Sequence, residues 1–142
     1  FVAGFMGSPS MNLFPARIAD ANGQPAAEIT LEGGETALLP FAPGRMPAGH
    51  TGRDIVLGIR PEAITDADGA DRNARAVHRV DAPVTLTEPA GSDTFVATRF
   101  GDRDVTGRFR ADVAVRAGDR FPFAINMDKA VAFDPGSEAR IA

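Results

Sequence analysis

Few residues in this 142-residue chain could do chemistry, and their spacing limits how far each can be taken. The two histidines, His50 and His78, fall in a glycine-rich loop and in a strand-like segment. Neither has a second histidine or a carboxylate at metal-ligand spacing, and His78, alternating with arginines and valines, reads as a surface or interface residue. No serine sits in a nucleophile elbow. Lys129 has no glycines around it, and no Gly-x-x-x-x-Gly-Lys-Ser/Thr run is present to cradle a nucleotide phosphate. Asp66, Asp68 and Asp71 have the spacing of half a calcium loop, but no distal glutamate completes it, so they read as a solvated acidic loop. The chain has no cysteine, which removes disulfides, thiolate metal sites and a cysteine nucleophile. No catalytic, cofactor-binding or metal-binding residue is therefore assigned.

Two short motifs remain. In Leu57-Gly58-Ile59-Arg60-Pro61-Glu62 a strand ends in a base, a proline turn and an acid. The plain structural reading is a surface ion pair between Arg60 and Glu62, worth little; the functional reading is an interface or effector contact. In Glu88-Pro89-Ala90-Gly91-Ser92-Asp93-Thr94, Gly91 supplies the backbone freedom of a turn, while Ser92 and Thr94 offer hydroxyls and amides. The plain reading is a polar hairpin end; the functional one is a small-anion or partner site with backbone N–H donors. On spacing alone the plain reading is favoured for both. Glu88, Gly91, Ser92 and Thr94, with Arg60 and Glu62, are the candidate interface or regulatory residues.

The elements that must position these motifs are strands. Fifteen glycines and eleven prolines punctuate the chain and leave few long helical patterns. Alternation marks strands around Phe14–Ile18, Ala27–Leu31, Thr36–Leu39 and Asp54–Arg60. Asn22-Gly23 and Gly33-Gly34 turn the chain, residues 40–53 form a Pro/Gly loop, Pro61 opens a tight turn, and residues 65–74 read as an exposed acidic loop. In the second half, residues 75–88 are long and β-rich, with Pro83 marking a bulge or edge and Val84, Leu86 and Glu88 on one face. Pro89–Ser92 turns the chain, Thr94–Phe100 and Val105–Phe109 alternate, and Val113 and Val115 continue that strand or begin another. Phe121–Ile125 and Val131–Phe133 follow. Nine or ten short strands at regular spacing predict a sandwich or barrel. The net charge of −4, with one lysine and scattered arginines, makes a nucleic-acid backbone an unsuitable partner. Ten phenylalanines without Trp or Tyr are core material and leave no stacking platform.

At the amino end, Phe1, Val2 and Phe5 share a helical face that Gly7 and Pro9 terminate. This predicts a helix remnant over residues 1–10, followed by a domain over 11–142. Phe1 through Met11-Asn12 resembles the junction after the nucleotide-binding domain in ATP-binding subunits of carbohydrate ABC importers of the maltose and glycerol-3-phosphate type. Leu57–Glu62 is similar to the next element of that family. Val84–Thr94, then Val113-x-Val115-x-x-Gly118-Asp119, then Phe133-Asp134-Pro135, resemble its transport-associated OB (TOBE) module. These segments stand in order across essentially the whole chain. Three positions depart from the pattern: Ala90 stands where the family's turn carries a leucine, and Ala130 and Ala132 stand where its last strand carries larger residues.

The resemblance implies an all-β, OB-like (MOP-like) barrel elaborated with extra strands. It implies a regulatory and dimerisation domain of a sugar or sugar-phosphate importer ATPase, without catalysis of its own. ATP and magnesium are then expected in the missing nucleotide-binding domain, joined through Phe1, Val2, Phe5, Gly7, Pro9 and Asn12. The implied partners are a second copy, that domain, the membrane permease subunits and a cytosolic regulator, on the inner face of the plasma membrane. The alternative is a small oxyanion or sugar-phosphate sensor of a transporter, with Ser92 and Thr94 as donors. Nucleic-acid binding by an OB face ranks last.

Overall fold

A computed structural model describes residues 11–31, 33–46, 49–66 and 73–142. Residues 1–10, and with them the helix remnant and the junction residues Phe1, Val2, Phe5, Gly7 and Pro9, lie outside the described residues. Eleven strands run through the rest. They are β1 (Asn12–Ala21), β2 (Gln24–Thr30), β3 (Thr36–Pro40), β4 (Asp54–Ile59), β5 (Ile64–Asp66), β6 (Val77–Pro83), β7 (Leu86–Ala90), β8 (Asp93–Phe100), β9 (Arg103–Arg110), β10 (Arg120–Asn126) and β11 (Val131–Phe133). Two single 3-10 turns, Pro61–Ala63 and Met127–Lys129, are interposed. The fold is all-β and OB-like.

The strands form a five-stranded sheet in the order β11-β4-β1-β2-β3 and two three-stranded sheets, β5-β10-β6 and β7-β8-β9. Every pairing is antiparallel. In the large sheet Phe14 faces Leu57 and Ala16 faces Ile55, so one face of both strands enters the core. Val131 returns beside Gly58 at the sheet's edge. The core is continuous across the sheets and built on aromatics: Phe14, Phe41, Phe109 and Phe123 are all fully buried. Phe14 meets Phe100 edge-on at 5.4 Å, and Phe109 packs against Phe121 at 5.6 Å and Phe123 at 5.2 Å.

Polar side chains tie the sheets together. Asn12, buried at the start of β1, donates from Nδ2 to the Thr106 carbonyl at 2.8 Å and accepts from the Thr106 N–H at 2.9 Å. A bidentate amide thus fastens the large sheet to β9. Asp128 accepts from the backbone N–H groups of Arg75 and Ala76, fixing the start of β6 beside the second 3-10 turn. Gly107 allows a closer approach: a Cβ there would stand 2.7 Å from the Ile64 carbonyl oxygen.

Several expectations from sequence are corrected. Residues 75–88 are not one strand. β6 ends at Pro83, Val84 exchanges hydrogen bonds with the 118–119 turn, and Thr85 donates to the Ala97 carbonyl as the chain changes sheets. Val84 is therefore buried whereas Leu86 is 58 % exposed and Glu88 lies in solvent, so the three do not share an environment. Pro89 and Ala90 belong to β7, which shortens the turn to Gly91-Ser92. Thr65 and Asp66 belong to β5 rather than to the acidic loop. Val113 and Val115 are in no strand: the Val113 N–H bonds back to the Arg110 carbonyl, which ends β9 in a turn.

Candidate functional site

The first motif stands where β4 leaves the large sheet. Arg60 is extended (φ −72°, ψ 152°) because Pro61 follows it, and Pro61 then occupies the first position of the 3-10 turn. Pro61 and Ala63 face the core, which leaves Arg60 and Glu62 exposed. The expected ion pair between them does not form: among the described residues neither makes an ion pair or side-chain hydrogen bond. Arg60 and Glu62 instead line an open pocket of about 370 Å³ with Ala63, Asn126 and Lys129. Asn126 closes β10 and Lys129 closes the second 3-10 turn, so the pocket joins the end of β4 to the end of β10.

The second motif is the β7–β8 hairpin. Ala90 pairs with Asp93 across a two-residue loop, and Gly91 takes φ +68° at its first position, as a type II′ turn requires. Glu88, Gly91 and Ser92 are exposed and Thr94 is half-buried between Pro89 and Phe109. The Ser92 carbonyl accepts from the Ala111 N–H. The hairpin residues do not line the Arg60 pocket, so the fold does not bring the two motifs into one site.

Two ionic links escaped sequence reasoning. Asp66, only 3 % exposed, accepts from Arg110 Nη2 at 2.9 Å and Nε at 3.2 Å through Oδ2. The Arg110 N–H and the Thr65 hydroxyl donate to its Oδ1. Burial alone would raise the Asp66 pKa, but the hydrogen bonds and charge of Arg110 outweigh it and hold the carboxyl below its ordinary range. Asp66 is thus a buried structural anion, not part of a solvated loop; Asp68 and Asp71 lie outside the described residues. Asp134 accepts from the Ser137 and Gly136 N–H groups and from Arg53 at 2.6 Å, which also lower its pKa. Arg53 reaches His50 Nδ1 at 3.2 Å as well. His78 is a fastener rather than a surface residue: its Nε2 lies 3.1 Å from the Pro40 carbonyl and links β6 to β3. The only sequence signal for Asp66 was its period-two step from Ile64.

Comparison with known proteins places this geometry. Residues 7–64 match the MalK OB fold domain family. Residues 57–133 match the TOBE domain family, more than half of the chain. The chain belongs to the TOBE domain family. The two matches overlap at 57–64, the segment that carries Arg60 and Glu62.

Among individual proteins, the TOBE chain is 35 % identical to an sn-glycerol-3-phosphate import ATP-binding protein, UgpC, of Ralstonia nicotianae, over 99 % of this chain and 36 % of that protein. It is 39 % identical to UgpC of Burkholderia lata over the same shares. It is 29 % identical to the oligosaccharides import ATP-binding protein MsmX of Bacillus subtilis, over 99 % of this chain and 37 % of that protein. The chain spans little more than a third of the length of these relatives. In structure it resembles the cytoplasmic molybdate-binding protein ModG, with a TM-score of 0.56 over 92 % of this chain and all of that one, at 17 % identity. That likeness concerns the fold alone.

Proposed function

We propose that this TOBE chain is the non-catalytic regulatory and pairing module of an ATP-binding subunit in an ABC importer for sugars or sugar phosphates. The observation that supports this reading best is the identity of 35–39 % to UgpC proteins along 99 % of the chain, spanning both domain matches. In this reading the module pairs with a second copy and transmits signals from a cytosolic regulator. The permease subunits meet the parent subunit at the inner face of the plasma membrane. ATP and magnesium belong to a nucleotide-binding domain outside this chain. The residues here do not suit that cofactor, since Lys129 ends a 3-10 turn with no glycine loop before it, and among the described residues no group of three or more acids or histidines could hold a metal.

Arg60 and Glu62, and the hairpin residues Glu88, Gly91, Ser92 and the half-buried Thr94, are offered as contact residues for these partners. The hairpin presents backbone and short polar groups at the end of two paired strands, which suits a protein contact better than a small anion. Sedimentation equilibrium of the chain, with a monomer mass of 14.9 kDa, tests the pairing. A mass rising toward that of two copies with concentration is expected. A single 14.9 kDa species at every concentration, also when the chain is joined to its ATP-binding domain, would remove the pairing role.

A further inference from the structure

The pocket between Arg60 and Lys129 has the composition of a ligand site. Arg60, Glu62 and Lys129 line it, and none of these charges has a partner among the described residues. The other rim group is Asn126, which is 8 % exposed. Its Oδ1 accepts from the Asp128 N–H at 3.0 Å. A backbone N–H can only donate, so the oxygen must face it, which leaves the Nδ2 group of this pocket-lining residue without a hydrogen-bond partner among the described residues. A nearly buried amide with an unused donor thus stands beside two unpaired cations and one unpaired carboxylate.

We propose that this pocket binds a small phosphomonoester carried on a hydroxylated carbon skeleton. The donors are of one kind. Arg60 offers a planar fork suited to two phosphate oxygens, Lys129 a mobile point charge, and Asn126 a fixed N–H. Glu62 has the opposite preference: it repels the phosphate and accepts from hydroxyls, so it orients the ligand with its polyol toward the 3-10 turn. Inorganic phosphate satisfies only the first half of the site, and a free polyol only the second. A pocket of about 370 Å³ accommodates such a molecule. Its walls come from Arg60 and the 3-10 turn that follow β4, and from the end of β10 with the 3-10 turn after it. The proposal does not depend on the transporter role, because it is a property of residues within this chain.

Titration of the 142-residue chain with glycerol 3-phosphate, inorganic phosphate and glycerol, followed by NMR, tests it. The Asn126 side-chain amide and the Arg60 Nε–H are expected to shift with glycerol 3-phosphate, with dissociation in the millimolar range or tighter (about 1 mM). Inorganic phosphate should bind about tenfold more weakly, and glycerol not measurably. Arg60→Ala and Lys129→Ala, both exposed changes, should each weaken the ester about tenfold. Glu62→Gln should narrow the gap between the ester and inorganic phosphate. No shift at Asn126 at about 20 mM ester, well above that dissociation constant, or binding unaltered in both cation variants, would overturn the proposal. Equal affinity for the ester and inorganic phosphate in wild type and in Glu62→Gln would overturn the polyol assignment.

Discussion

At the scale of single residues, the Asp66–Arg110 link is the most consequential charge interaction. Removing Arg110 leaves a carboxylate that is 97 % enclosed without its counter-charge; because the guanidinium side chain is itself 49 % exposed, Arg110→Ala is expected to cost about 2–3 kcal/mol, read as a lower urea midpoint. Both Asp66 and Asp134 have folded pKa values below the ordinary carboxylate value. Their contribution is therefore complete at pH above the unfolded value and is lost as pH falls through the folded one. Urea midpoints should stay level down to about pH 5 and fall below about pH 4, and Asp66→Asn should flatten that fall. The Thr98 hydroxyl presents the opposite case. Thr98 is fully buried and its Oγ1 has no hydrogen-bond partner among the described residues. Thr98→Val removes a desolvated hydroxyl and keeps the branched shape, so stability should hold or rise by about 1 kcal/mol. A loss of more than that would mean that Thr98 has a partner in solution.

At the scale of elements, sequence reading succeeded where a strand keeps one face in the core along its whole length. β1, β4, β8, β9 and β10 alternate visibly because Phe14, Ile18, Ile55, Leu57, Val96, Phe100, Val105, Phe109, Phe123 and Ile125 fall at alternate positions on one side. It failed where a strand is short or changes sheet. β5 has three residues and ends in an aspartate, so it merged with the acidic loop after it. Val84 lies between two sheets and bonds to a turn, which no local pattern signals. The candidate site was half legible. Arg60 and Glu62 are neighbours in sequence around a proline, but Asn126 and Lys129 come to them only through the pairing of β10 with β5. Likewise Asn12 finds Thr106 at a separation of 94 residues. These inter-sheet fasteners carry predictions. Asn12→Ala removes both bonds to the half-buried Thr106 N–H and carbonyl and should cost about 1–2 kcal/mol. Gly107→Ala drives a methyl against the Ile64 carbonyl in a place where backbone, not a flexible side chain, must yield. A cost of about 1–3 kcal/mol in thermal or urea unfolding is expected.

At the scale of the whole molecule, three antiparallel sheets close around one phenylalanine core and leave their turns as the accessible polar features. The Pro61–Ala63 turn, which exposes Glu62 beside Arg60, and the β7–β8 hairpin stand at the surface, and the Arg60 pocket lies where the chain passes from β4 toward β5. The identity to importer ATP-binding subunits covers nearly all of this chain but little more than a third of theirs, so the reading makes a direct demand on the rest of the protein. Sequencing the coding frame upstream of Phe1 meets that demand most directly. The account predicts an uninterrupted frame encoding a strand, a Gly-x-x-x-x-Gly-Lys-Ser/Thr loop and a helix in that order. A stop codon just before Phe1, or an upstream domain without that phosphate loop, would contradict it.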